Sequence, residues 1–332
     1  MSNLTVNAPI TLFSLAVLAA GAGESHAAAA EWQPDKPVEI IVGTGVGGGQ
    51  DKSARTVQKI LHERRLVEMP VTVVNKPGGG GAVGWTYLNQ HAGEGNIIYV
   101  GNPTLLTNHI VGRSPINYTH ITPLAILLSE SVAISVLPDS PLKTGKDLLA
   151  RLKQDAALVS VAVGSSLGST NHIAMALLAK AAGGDARRLK TVVFQGGGEA
   201  ITALLGGHID VNSSAANNVV AHKEAKRLRV LGVASPKRLG GVLADVPTWQ
   251  EQGVDALVTN WRMVAGPKGM TAAQIAYWDR VLARLAQTPE WKQDLATNLL
   301  EDTYRGSAAT ERYLRAEYEQ FRAALAEVGL AK

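Results

Sequence analysis

The sequence predicts an α/β fold with mostly parallel sheets covered on both faces. Two observations carry that prediction. Short β-branched runs alternate with longer Ala- and Leu-rich stretches along the chain, the pattern of strand-helix-strand units. Glycine is abundant, 34 of 332 residues, while aromatics make up 5%, so the interior is built from Ala, Val, Leu and Ile around many tight turns. No fixed-period repeat interrupts the alternation and no low-complexity linker divides it.

In chain order, the first feature is ITLFSLAVLAAGA at 10–22, an apolar run too short to span a bilayer. Small-x-small cleavage sequences follow at Ser25-His26-Ala27 and Ala27-Ala28-Ala29. Residues 1–29 are read as a secretory signal peptide, although MSNLTVNAP lacks the basic residues of such leaders, and a disordered or helical tail is the alternative. Strand-like runs then come at VEIIV (38–42), VTVV (71–74), NIIYV (96–100), SVAISV (131–136), LVSVAV (158–163), KTVVF (190–194) and LRVLGVA (228–234). Between them DKSARTVQKILHERR, LLTNHIVG, TGKDLLARLKQ, STNHIAMALLAKAAG and EAITALLGG carry helical periodicity, and from Thr271 onward the pattern is almost wholly helical. Without a linker, two domains would have to exchange segments through short crossings. These are expected near Ser129 to Val132 and near Ala234 to Gly253, which makes 30–130 with 250–332 one lobe and 131–249 the other.

Composition excludes several classes. Cysteine is absent, so disulfides, thiolate metal sites and cysteine nucleophiles are excluded. Net charge is +4, or +5 once Glu24 leaves with the leader, and the basic residues are scattered without interleaved aromatics, so no nucleic-acid face is expected. The eight histidines are dispersed and no metal-ligand spacing occurs; Asp51 and Arg55, at i, i+4, read as a helix ion pair. No cofactor is expected.

The chemistry concentrates in glycine loops: GTGVGGGQD (43–51), NKPGGGGAVG (75–84), GSSLGSTNH (164–172) and FQGGGEA (194–200). The first and the last two follow a strand and open a helix, so each presents free N–H groups and a helix N-terminus at the carboxyl edge of a sheet, a ready anion site. Gly43, Gly45 and Gly48 match G-x-G-x-x-G, but the next strand ends in Asn75-Lys76-Pro77 rather than in the acidic residue that holds a ribose. Gly164 to Gly168 matches G-x-S-x-G, with Ser166 as the nucleophile of an α/β hydrolase. That alternative would need Asp210 and His222 as partners, because the last 110 residues contain no histidine. Hydroxyl donors around an anion-binding helix account for Ser165, Ser166, Ser169 and Thr170 more simply.

Taken in order, GTGVGGGQDKSAR, VVNKPGGGGAVG, GSSLGSTNH, FQGGGEAITALLGGHIDV, LRVLGVASPKRLGGVLADVPTWQEQGVD and NWR resemble the periplasmic substrate-binding proteins of tripartite tricarboxylate transporters, the Bug family, from about Pro37 to the C-terminus. FQGGGEA and NWR are similar to the tricarboxylate-binding branch. The resemblance implies a type II periplasmic-binding-protein fold, two α/β lobes with a ligand cleft between them. It also implies a monomeric, cofactor-free receptor that closes on a small di- or tricarboxylate and delivers it to membrane permease subunits. In the family the stretch matching Thr44, Gly45, Val46, Gly48, Gly49 and Asp51, and that matching Ser165, Ser166, Gly168 and Ser169, hold a ligand carboxylate. Closure adds the stretch from Phe194 to Gly198, Gly196 included, with Ser213 and Ser214 as further candidates. Arg55 and Arg262 are readable either as partners of a second carboxylate or as structural ion pairs, His172 as a ligand contact or a buried structural histidine, and Phe194 and Trp261 as ring-binding or core residues. Citrate-like acids, C4 to C6 dicarboxylates and aromatic dicarboxylates such as terephthalate all suit such a site.

Overall fold

The computed structural model describes residues 1–2, 32–164, 166–327 and 329–332; the predicted signal peptide falls, but for its first two residues, outside them. Trp32 to Lys332 form a single compact unit. No helix among the described residues is long and apolar enough to cross a membrane.

The chain first runs β1 (Val38–Val42), α1 (Gly49–Glu63), β2 (Val71–Asn75), α2 (Ala82–Asn89), β3 (Ile97–Gly101), α3 (Thr104–Ile110) and β4 (Ile121–Glu130). It continues through β5 (Val132–Val136), α4 (Gly145–Gln154), β6 (Ser160–Gly164), α5 (Thr170–Ala181), β7 (Lys190–Phe194), α6 (Gly197–Leu205), β8 (Val211–Ala215), α7 (Ala216–Glu224) and β9 (Arg229–Ala234). It ends with β10 (Asn260–Pro267), α8 (Ala272–Ala286), α9 (Pro289–Thr297), β11 (Glu301–Gly306) and α10 (Ser307–Glu327). The strands form two sheets, β11-β4-β10-β3-β1-β2 and β7-β6-β8-β5-β9. Each sheet is the centre of one α/β lobe.

Both sheets are mixed, not mostly parallel. β1 pairs parallel with β2 and β3, and β6 with β7 and β8, as the strand-helix alternation predicts. β10 and β5 each lie antiparallel to both of their neighbours. The cause is the crossing: β5 and β10 are the strands that enter directly from the other lobe, without a crossover helix to reverse their direction. On the return path, Trp249 N donates to Val233 O and Gln252 Nε2 to Leu231 O, so the chain stays on the second sheet until about Val254 and reaches the first at Asn260.

Local sequence sets the element ends. Thr144 accepts from Asp147 N while the Asp147 carboxylate receives Thr144 N, a capping box that starts α4; Thr271 and Gln274 do the same for α8. Thr288 accepts from Trp291 N at α9, with Pro289 in the first turn, where its missing donor costs nothing. α1 turns Ala54, Val57, Ile60 and Leu61 onto the first sheet.

Candidate functional site

The glycine loops meet in one cleft of about 580 Å³. From the first lobe it is lined by Gly43, Thr44, Pro77 to Gly80 and Arg113; from the second, by Ser166, Leu167, Val193 and Gln195. Gly78 to Gly81 all have positive φ, from +58° to +127°, and only glycine takes that path without strain. The run lets bare backbone reach the opposite lobe: a methyl on Gly80 would stand 3.0 Å from Ser166 Oγ and 3.1 Å from Asn108 Nδ2. Asn108 holds the loop by donating to Gly79 O and Gly80 O. Gly43 is required for close approach, since a Cβ there would overlap Tyr99 Oη and Gly81 Cα.

Asp51 carries the electrostatics of the first loop, but not by facing the cleft. Its carboxylate is buried and accepts from Gly47 N, Arg55 Nε and Asn75 Nδ2, all at 2.9 Å. Burial alone would raise its pKa; the hydrogen bonds from Arg55, Gly47 and Asn75 outweigh that and hold it below the usual carboxylate range. Asn75 Nδ2 also donates to Thr44 O, so the residue that breaks the ribose-binding pattern serves as a brace for the loop. The helix ion pair of Asp51 with Arg55 is present, and Arg55 is thereby committed.

Arg262 is likewise committed. Its Nη2 lies 2.6 Å from Glu130 Oε2, both side chains almost wholly buried, and Asn260 Nδ2 donates to the same oxygen. Burial raises the Glu130 carboxyl above its usual range, against the opposing pull of Arg262, Lys52 and Asn260. A methyl on Gly49 would stand 2.8 Å from Arg262 Nη2, so the pair sits beneath the first turn of α1.

Of the sequence-predicted site residues, Thr44 and Ser166 line the cleft. Gly45 closes the turn by accepting from Gly48 N, Val46 is its exposed tip, and Gly48 and Gly49 begin α1. Ser165 lies outside the described residues. Gly168 donates its N–H to His172 Nδ1 at 3.0 Å, Ser169 is the residue preceding α5, and Gly196 that preceding α6. His172 is buried and structural. Four aromatic or hydroxyl candidates do not reach the cleft. Ser213 and Ser214 are fully buried in β8, with Ser213 Oγ donating to Asn171 O and Ser214 Oγ accepting from Asn212 Nδ2. Phe194 packs by Ala162 and Ala200, and Trp261 is fully buried with Nε1 donating to Glu317. Sequence reasoning missed Arg113, which follows α3 in no motif; Gln195 falls within the predicted stretch from Phe194 to Gly198.

The hydrolase alternative fails on geometry. The Asp210 carboxylate accepts from Ser160 N and Oγ, and His222 lies in the last turn of α7, away from the cleft that Ser166 lines. Ser166 Oγ has no hydrogen-bond partner among the described residues, so no base activates it. Thr44 Oγ1 is in the same state, buried and without a partner. Both hydroxyls belong to residues that line the one cleft, from opposite lobes, and a buried hydroxyl calls for a partner.

The chain matches TctC, the tripartite tricarboxylate transporter family receptor, over residues 53–330. A TctC solute-binding protein from Polaromonas, solved without ligand, is 27% identical, with 89% of this chain and 99% of that chain covered and a TM-score of 0.67. An adipate-bound protein of R. palustris is 23% identical over 90% of this chain and 99% of its own, with a TM-score of 0.81. MatC from Rhodopseudomonas palustris, solved with malate, is 21% identical over 88% and 99%, with a TM-score of 0.78. The last two similarities show the fold alone, and they agree with the two lobes described above.

Proposed function

This chain belongs to the tripartite tricarboxylate transporter receptor family, and from that premise we propose that it is an exported periplasmic receptor whose inter-lobe cleft captures a small di- or tricarboxylate. The observation that carries the ligand class is the pair of buried, unpartnered hydroxyls, Thr44 Oγ1 and Ser166 Oγ, one on each lobe. Left without an acceptor, each forgoes about 1–3 kcal/mol; a carboxylate, with two oxygens, accepts from both at once. The loop N–H groups and the N-termini of α1 and α5 favour a negative charge there without a fixed ion pair, and release is correspondingly easy. The malate and adipate of the two bound neighbours are of this class. The receptor acts as a monomer, needs no cofactor, and hands its closed form to the membrane subunits of a tripartite transporter.

A thermal-shift screen of the chain from Ala30 onward tests this. Malate, adipate, citrate and terephthalate would be compared with amino acids, nicotinamide nucleotides and ester substrates. A ligand at about 100 times its Kd adds about 2.7 kcal/mol, a shift of several degrees for a protein of this size. A shift confined to free carboxylates, without ester turnover, is the expected result. Silence from every acid, or hydrolysis of an ester, would overturn the reading.

A further inference from the structure

We propose that Arg113 reads a second carboxylate on the ligand and, with the carbonyl of Leu167, latches the two lobes over it, so that the receptor selects diacids over monoacids. The proposal rests on the reading of the cleft as a carboxylate site. Among the described residues that line the cleft, Arg113 has the only charged side chain. It belongs to the first lobe, just after α3, and its Nη1 donates at 3.1 Å to Leu167 O in the second. That carbonyl is the side chain's one hydrogen-bond partner among the described residues, which leaves most of its five N–H donors available.

Three basic residues close to the first two glycine loops are otherwise engaged. Arg55 is paired with Asp51, Arg262 with Glu130, and Lys76 Nζ lies 3.8 Å over the Tyr87 ring. Thr44 and Ser166 hold a first carboxylate with neutral donors, but a second one enclosed without a counter-charge would bear a large desolvation cost. A guanidinium meets that need and can bind both oxygens at once. Being exposed, Arg113 is hydrated in the free protein, and enclosing it against a ligand strengthens the pairing where no ligand-independent ion pair competes. The contact also crosses the gap between lobes, so closure and recognition of the far carboxylate are one event. Ser166 and Leu167 are adjacent, so both ends of the ligand would be sensed by the same turn of the second lobe.

The test is titration calorimetry with adipate, malate, citrate and terephthalate, each beside its half-amide, on the wild-type chain, Arg113→Gln and Arg113→Lys. For at least one acid the wild type should prefer the free acid by about 10-fold or more, equivalent to about 1.4 kcal/mol. Arg113→Gln should bring that ratio close to one by weakening the free acid far more than the half-amide, and Arg113→Lys should recover part of the preference. Because the side chain is exposed, unchanged melting temperatures are expected for both variants. A preference that survives in Arg113→Gln, or a wild type that binds acid and half-amide alike, overturns the role of Arg113 while leaving the carboxylate site standing. A wild type that binds none of these compounds removes the carboxylate reading itself, and this proposal with it.

Discussion

His172 is 5% exposed, and burial, with the charge of Arg113 nearby, lowers its pKa to about 4 from an ordinary 6.5. Its Nδ1 accepts from Gly168 N, which only an unprotonated nitrogen can do. Above about pH 6.5 the imidazole is neutral whether the chain is folded or not. Between 6.5 and 4 the unfolded chain takes up a proton that the folded chain refuses, so stability falls as acid is added and levels off below about 4. The full effect is about 3 kcal/mol. Melting temperature measured from pH 7 to pH 5 should drop less steeply in His172→Asn, whose amide oxygen can still accept from Gly168; parallel curves would refute the assignment. His222, also lowered by burial, acts in the same direction and remains in both proteins. At this scale the sequence was informative only where a motif named the residue. Ser166 was legible because G-x-S-x-G picks it out, whereas nothing in HIVGRSPIN distinguishes Arg113, whose place in the cleft depends on α3 and on the opposite lobe.

The first glycine loop and α1 behave as one element because Asp51 binds them together. Removing its carboxylate in Asp51→Ala leaves Gly47 N–H and Asn75 Nδ2 without their acceptor and releases Arg55. A loss of about 1–3 kcal/mol in stability is expected. Because Asn75 also holds Thr44 O, carboxylate affinity should fall by roughly 10-fold or more, the equivalent of about 1.4 kcal/mol. Urea denaturation and calorimetry read the two effects separately, and unaltered affinity would show that the brace does not position the loop. Elements dominated by β-branched apolar runs, such as VEIIV and KTVVF, were readable from the sequence. β8, with the sequence VNSSA, and β11, with EDTYRG, were not: their polar residues carry little strand preference, and both form because a neighbour supplies the ladder, β6 and β5 for one and β4 for the other. β4 and β10 were missed: Pro123 stands near the start of β4, and β10 opens on the polar Asn260 and Arg262 and closes on Gly266-Pro267.

For the whole molecule, the point of convergence is Glu130. It is the last residue of β4, one residue before the crossing into β5; Asn260 and Arg262 open β10, immediately after the chain returns. The Glu130, Asn260 and Arg262 cluster therefore fastens the two crossings together, and Gly49 brings the start of α1 onto it. A substitution of one charge leaves the other buried and unpaired, so Glu130→Ala should cost about 3–5 kcal/mol, whereas the volume-matched pair Glu130→Leu with Arg262→Met should return part of it, the buried Asn260 amide then lacking both partners. Stability alone would then assign the cluster no more than a packing role. Affinity separates the alternatives: if the ion pair sets the angle at which the lobes close, the double variant should be stable yet bind its carboxylate more weakly, with a smaller decrease in radius of gyration on ligand addition in solution scattering. Full affinity and full compaction in the double variant would mean that lobe closure is governed elsewhere, as by the Arg113 to Leu167 contact across the cleft.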